Sequence, residues 1–183
     1  MSDVTTLEGL LEAGWTLAMA ATGPDHPARL VSLATVSTAG GPEVRTVVLR
    51  SADPRAAQVE VQTDLHSDKI TSLRARPEAA IVLWDEAARL QLRLTGGVAI
   101  RHGEALRAVW EQVPDLNRQS YGITPAPGTP IEGPLDYVKR PDLESFAVLD
   151  IAVESLDIVH LGERHRRAVY RRADGFAGQW LVP

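Results

Sequence analysis

Seven consecutive residues, Thr63-Asp64-Leu65-His66-Ser67-Asp68-Lys69, bring two hydroxyls and an ammonium group to the start of a segment with helical character. Free first-turn amides beside a lysine suit an anion, phosphate above all. Ser67 is equally an ordinary helix N-cap. Other cations lie on stretches with strand alternation. Arg45 and Arg50 bracket one of them, and Arg167 opens a late one. Gln91 and Arg93 are two apart, so they share a strand face. Arginines on strands either pair with carboxylates on a solvated face or take a bound anion.

Other chemistries are harder to place. The chain of 183 residues has no cysteine, which removes thiol nucleophiles, disulfides and cysteine-ligated metals. No Gly-x-x-x-x-Gly-Lys, Gly-x-Gly-x-x-Gly or Gly-x-Ser-x-Gly motif occurs. The five histidines, His26, His66, His102, His160 and His165, share no metal-ligand spacing, and His165 sits between two arginines. Asp85-Glu86 reads as solvated charge in a turn. A net charge of −5 argues against nucleic acid, and the basic run 164–172 interleaves a single aromatic, Tyr170. Met1-Ser2-Asp3 has no basic leader character, and the densest apolar run, Ala79 to Trp84, is too short to span a bilayer. A cytoplasmic protein without membrane or nucleic-acid partners is expected.

The elements that must position these groups follow from periodicity. Thr5 and Glu8 have capping-box spacing, and Leu7, Leu11 and Trp15, with Leu10 beside them, form an apolar stripe. This predicts a helix over about 7–21, stopped by Gly23-Pro24. From residue 29 the period becomes two, and strands are expected over 29–37, 43–50, 58–63, 79–84 and 90–100. Val59 and Val61 should point inward, Glu60 and Gln62 outward. Gly96-Gly97 inside the long strand suggests a bulge or barrel corner. Short helices are expected over about 67–76 and 104–112. Residues 114–141 hold six of the 12 prolines and read as a long loop over a site or partner. Strands resume over 145–153, 156–161, 166–172 and 176–182, with Asp174-Gly175 a hairpin signal. Strands joined by short turns predict a mainly β fold with flanking helices, an antiparallel sheet closed into a barrel. One domain over 1–183 is expected, with 1–26 its N-terminal helix and linker.

The string Arg45-Thr46-Val47-Val48-Leu49-Arg50, then Thr63 with Ser67-x-Lys69, Pro77, Trp84 and Gln91-Leu92-Arg93-Leu94-x-Gly96, resembles the pyridoxamine 5′-phosphate oxidase-like family of FMN-binding split barrels. His165-Arg166-Arg167-Ala168-Val169-Tyr170 and the closing Trp180-Leu181-x-Pro183 are similar to that family's end. Trp110, Arg118, Tyr121 and Pro127-Gly128 look like a less characterised branch.

The resemblance implies a homodimer with FMN at the subunit interface and an oxidase or reductase activity on a small molecule. Arg45 and Lys69 would hold the phosphate with Ser67 helping. Thr46, Val47 and Val48 would line the flavin, with Arg50 and Thr63 close by. Gln91 would reach the ring from the partner subunit, and Arg167 would sit near the ring's polar edge. Arg50, Arg118 and His165 would be the substrate-side residues. Hydride transfer to a flavin needs no nucleophile, in keeping with the missing motifs. The alternative is a non-catalytic barrel holding FMN, deazaflavin or haem. Some positions depart from the family pattern: Arg50 replaces a lysine, Asp68 a basic residue, and His160 the aromatic expected near the last strands. The grip on a substrate phosphate is not recognisable around 109–113.

Overall fold

The computed structural model describes residues 4–183. Residues 1–3, read above for leader character, lie outside the described residues. No helix among the described residues is long and apolar enough to cross a membrane.

Helix α1, Leu7–Ala20, is capped by Thr6, whose Oγ1 accepts from the Gly9 amide at 3.0 Å. The cap is thus one residue later than the expected Thr5. The buried face also differs: Leu10, Gly14, Leu17 and Ala18 lie deepest, with Trp15, whereas Leu7 and Leu11 sit at the margin. Gly14 sets that rotation, because a Cβ there would lie 2.5 Å from Ile158 Cδ1. The helix therefore seats on the sheet along its smallest residue.

The strands are β1 (Leu30–Val36), β2 (Pro42–Asp53), β3 (Gln58–Asp64), β4 (Glu78–Asp85) and β5 (Leu90–His102). Helix α2 (Asp68–Ala75) lies between β3 and β4. After β5 the expected single helix divides into a 3-10 turn, Gly103–Leu106, and helix α3, Arg107–Gln112. The proline-rich segment is not structureless. It holds helix α4 (Asp115–Arg118) and a two-stranded ribbon of β6 (Ile123–Thr124) and β7 (Val138–Lys139). The chain ends with β8 (Phe146–His160), β9 (Arg166–Arg171) and β10 (Gln179–Leu181).

Hydrogen-bonded order runs β10-β9-β8-β3-β2-β1-β4-β5, and β5 returns to pair with β8. Six strands thus close an antiparallel barrel, with β9 and β10 extending from one edge. The two strands expected over 145–153 and 156–161 are one strand, β8. Its polar Glu154-Ser155 pair marks a bulge rather than a turn, since Thr95 pairs with Ser155 and Gly96 with Val153. Arg172 pins that bulge by donating from Nε to the Val153 carbonyl at 3.0 Å. The last strand is shorter than expected because Phe176 and Gly178 take positive φ, 59° and 84°, which an extended strand does not allow.

Alternation places Val59, Val61, Leu33, Leu49, Ile81, Leu92, Leu94 and Ile158 inside, all essentially inaccessible to solvent. Tyr170 joins them, and its hydroxyl donates to the Leu7 carbonyl at 2.7 Å, tying β9 to the start of α1. Burial pushes that phenol up to about 12. A second apolar cluster, Leu106, Val113, Tyr121, Leu143, Phe146 and Val148, anchors the proline-rich segment.

Candidate functional site

Strand β3 ends at Thr63 and Asp64, and the chain turns directly into α2. Ser67 occupies the N-cap position but does not cap. Its hydroxyl donates to the Asp64 carbonyl at 2.7 Å and accepts from Lys69 Nζ at 2.9 Å. Lys69 also donates to Thr63 Oγ1 at 2.9 Å. The two hydroxyls thus aim the ammonium group instead of closing the helix end.

Arg45 reaches the same place from β2. Residues 43, 45, 47 and 49 share one strand face, so Arg45 lies toward the barrel mouth. Nη1 donates to Thr35 Oγ1 at 2.7 Å, and Nη2 pairs with Glu43 Oε2 at 3.0 Å. Glu43 also accepts from Ser72 Oγ of α2 at 3.1 Å, which ties helix to strand. A cavity of about 400 Å³ opens between Glu43, Arg45, Ser67, Asp68, Lys69 and the Pro127-Gly128 tip of the proline-rich segment. Two larger hollows, of about 700 and 710 Å³, contain none of Arg45, Lys69, Gln91 or Arg167.

Two cations and the Ser67 hydroxyl lining one cavity fit the donor chemistry of a phosphate group. Burial holds the Lys69 ammonium below the ordinary lysine range, and the Arg45 charge pushes it further down, against the opposing pull of Asp64 and Asp68. A lowered lysine pKa is a stability cost while the amine is charged, relieved as pH rises through the folded value. Anion binding has the opposite sign, because it needs the charged amine. Affinity for a phosphate ester is therefore expected to fall on raising pH through this lowered value, earlier than for an ordinary lysine. Titrations from neutral to alkaline pH should show the fall in the parent and its loss in Lys69→Arg.

Thr46 lies exposed on the outer face of β2, and Val47 and Val48 are half-buried. Arg50 is displaced by a bulge: Leu49 pairs with Val61 and Ser51 with Glu60, leaving Arg50 without a partner residue. The bulge turns its guanidinium to the Tyr121 hydroxyl, with Nε buried and unbonded. Burial raises the Tyr121 phenol, and Arg50 opposes that rise. Arg118 meets the same aromatic cluster at Trp110, 5.1 Å over its ring. Its donors are spent on the carbonyls of Trp110 and Glu111 and on Asp115. His165 is exposed in the β8–β9 turn and meets neither.

Gln91 and Arg167 form a second grouping. Gln91 pairs with Val159, and Val159 pairs with Arg167, so the three make one row across β5, β8 and β9. The next row is Arg93, Asp157 and Val169. Asp157 accepts from Arg93 Nη2 at 2.6 Å and from Arg167 Nη2 at 2.8 Å. This grouping is separated from the Arg45–Lys69 cavity by β1 and β4 on one side of the barrel and by β3 on the other. Between them lies an outer sheet face whose one charge is Glu78 at its end: Leu30 and Ser32, Val44 and Thr46, Ala80, Val82 and Trp84. Leu30 is 64% exposed and Val44 66%.

Glu43 and Asp157 were not expected at the site, whereas the Pro127-Gly128 wall belongs to the segment expected over a site or partner. Glu43 was accessible from its two-residue spacing to Arg45. Asp157 needed the strand register.

Comparison with known proteins adds to this geometry. Residues 13–102 match the family model described as pyridoxamine 5′-phosphate oxidase, FMN-binding domain. A pyridoxine/pyridoxamine 5′-phosphate oxidase of Microcystis aeruginosa is 40% identical over 68 residues, 37% of this chain and 31% of that one. Its counterpart in Anaeromyxobacter dehalogenans is 38% identical over 82 residues, 45% of this chain and 40% of that one. The match thus spans less than half the length of these curated relatives. Among solved structures, a pyridoxamine 5′-phosphate oxidase-related, FMN binding protein from Nostoc punctiforme has a TM-score of 0.76 at 26% identity, over 93% of this chain and 96% of that one. PhzG from Burkholderia lata, in complex with tetrahydrophenazine-1-carboxylic acid, has a TM-score of 0.72 at 16% identity, over 98% of this chain and 92% of that one, a likeness of fold.

Proposed function

We propose that this chain, which belongs to the pyridoxamine 5′-phosphate oxidase-like family of FMN-binding split barrels, binds FMN between two copies of itself and acts as an oxidoreductase on a small molecule. The observation that carries the reading is the convergence of Arg45, Ser67 and Lys69 on one cavity of about 400 Å³, with Thr63 holding Lys69 from behind. Arg45 and Lys69 hold the phosphate by charge-assisted hydrogen bonds, and Ser67 and Thr63 aim the lysine. Thr46, Val47 and Val48 line the flavin along β2.

Two copies are needed because the residues assigned to one ligand lie on separated parts of the barrel. Gln91 and Arg167 stand apart from the phosphate bound at Arg45 and Lys69 of their own chain, with β1 and β4 between them on one side of the barrel and β8 and β3 on the other. A two-fold arrangement through the outer face described above supplies them from the second copy. Exposed Leu30, Val44 and Trp84 support that face as the interface, since large apolar side chains gain from removal from water. The flavin, when bound, supplies hydride and electron chemistry. The chain's own part is to hold the phosphate, orient the ring and exclude water. The substrate-side candidates are Arg50 with Tyr121, together with His165 and Arg118. Arg118 acts there by fixing Trp110.

The test is titration of apo protein with FMN, followed by fluorescence, alongside sedimentation. Saturable binding by a dimer is expected. A monomer at micromolar concentration, or no binding, overturns the reading.

A further inference from the structure

We propose that Asp157 is a positioning residue of the flavin site, holding Arg93 and Arg167 as one cationic edge, and that Arg93 is a flavin-binding residue beside Arg167. This rests on the reading that FMN binds between two copies with the β5–β8–β9 face toward the ring.

Asp157 is 6% exposed, so its carboxylate has little access to water. A charge buried to that degree is tolerated when it is paired and hydrogen-bonded. Three donors meet it. Arg93 Nη2 lies 2.6 Å from Oδ2, Arg167 Nη2 lies 2.8 Å from the same oxygen, and Arg167 Nε lies 3.1 Å from Oδ1. The two arginines reach it from opposite sides, Arg93 directly across on β5 and Arg167 diagonally on β9. One carboxylate between two guanidiniums leaves a surplus of one positive charge.

That surplus faces outward. The Arg93 and Arg167 side chains are 48% and 34% exposed. Among the described residues Nε and Nη1 of Arg93 and Nη1 of Arg167 have no partner, so three sets of donors are held in fixed directions. A solvated surface ion pair needs neither a buried carboxylate nor two arginines. Gln91 lies one row away on the same face, and two strand spacings of about 4.8 Å separate it from Arg167. A planar ring with acceptor atoms along one edge fits across these rows. The flavin's pyrimidine edge has that chemistry, and it carries negative charge when the ring is reduced. Donors fixed there favour the reduced form and raise the potential.

The experiment measures FMN affinity and the midpoint potential of bound FMN in the parent, Asp157→Asn and Arg93→Gln, with circular dichroism to check the fold. Asp157→Asn is expected to weaken FMN at least about tenfold and to shift the potential downward, as the arginines lose their anchor. Arg93→Gln keeps the Asp157–Arg167 pair, so it retains the fold, and it should move both quantities the same way by less. An upward shift in Asp157→Asn would mean that the arginines keep their places and Asp157 only cancels charge, which overturns the proposal. Affinity within about twofold and an unchanged potential in Arg93→Gln overturn it as well, while FMN binding by the parent leaves the underlying reading intact. Failure of the parent to bind FMN overturns both.

Discussion

Replacing Lys69 with alanine is expected to weaken FMN binding by roughly tenfold to a hundredfold, and Arg45→Ala by a similar factor, with the barrel intact. A hydrogen bond to a charged group contributes about 1.5–3 kcal/mol, and about 1.4 kcal/mol is tenfold in affinity. Lys69 puts its ammonium 2.9 Å from both Thr63 Oγ1 and Ser67 Oγ, so it enters the cavity already oriented. Its removal costs the fold little, because the two hydroxyls lie 3.4 Å apart and can bond each other. Arg45 differs in being shared: Glu43 occupies one of its nitrogens. An incoming phosphate competes with that carboxylate, and Asp68 adds a second negative group at the cavity wall. Overall affinity should therefore be modest and the purified protein partly apo. FMN titration of each variant, with urea midpoints as the control for folding, decides the matter. Unchanged affinity in both would reduce these residues to a strand-edge ion pair and a helix entry.

Most of this architecture was legible in the residues, and the exceptions share a physical origin. Period-two runs located β1 to β5, and the Ser67–Lys69 spacing located the cavity, because both depend on neighbours a few positions away. The bulges were not legible as such. Glu154-Ser155 reads as a turn because two polar residues interrupt an apolar strand, yet each of their neighbours pairs across to β5. Arg50 reads as the last residue of the strand over 43–50, and only the slip against β3 sends it to Tyr121. The N-cap was misplaced by one residue because Thr5 and Thr6 are alike in type, and the backbone turn selects Thr6. Asp157 has no local signal at all. Its partners are 64 and 10 residues away, brought in by register. The proline-rich segment reads as a long loop over a site or partner, and its fastening is not local: Gly122 donates to Asp64 Oδ2 at 2.9 Å and holds it beside α2.

The largest effect on stability is expected from Gly96→Ala. A Cβ at Gly96 would lie 1.8 Å from the Ala152 carbonyl oxygen, 2.7 Å from its carbon and 3.1 Å from Val153 Cα. All three are backbone atoms of β8, so no side chain can swing aside. Relief requires parting β5 from β8 where the register slips, and that ladder closes the barrel. Overpacking a core commonly costs about 1–3 kcal/mol and sometimes more, and a backbone clash belongs at the upper end, at about 3 kcal/mol or above. Gly97→Ala is the matched control. Its nearest atom, the Pro77 carbonyl oxygen, is 3.9 Å away, which is ordinary contact. The added methyl there reduces the freedom of the unfolded chain, so that variant should be neutral or up to about 1 kcal/mol more stable. Urea midpoints compared at equal slope read the difference directly. Equal midpoints for the two variants would mean that β8 yields at the bulge without loss. The consequence also reaches the site: Gln91 and Arg93 are held opposite Val159 and Asp157 only while β5 keeps its register, so Gly96→Ala should weaken FMN binding even in the fraction that folds.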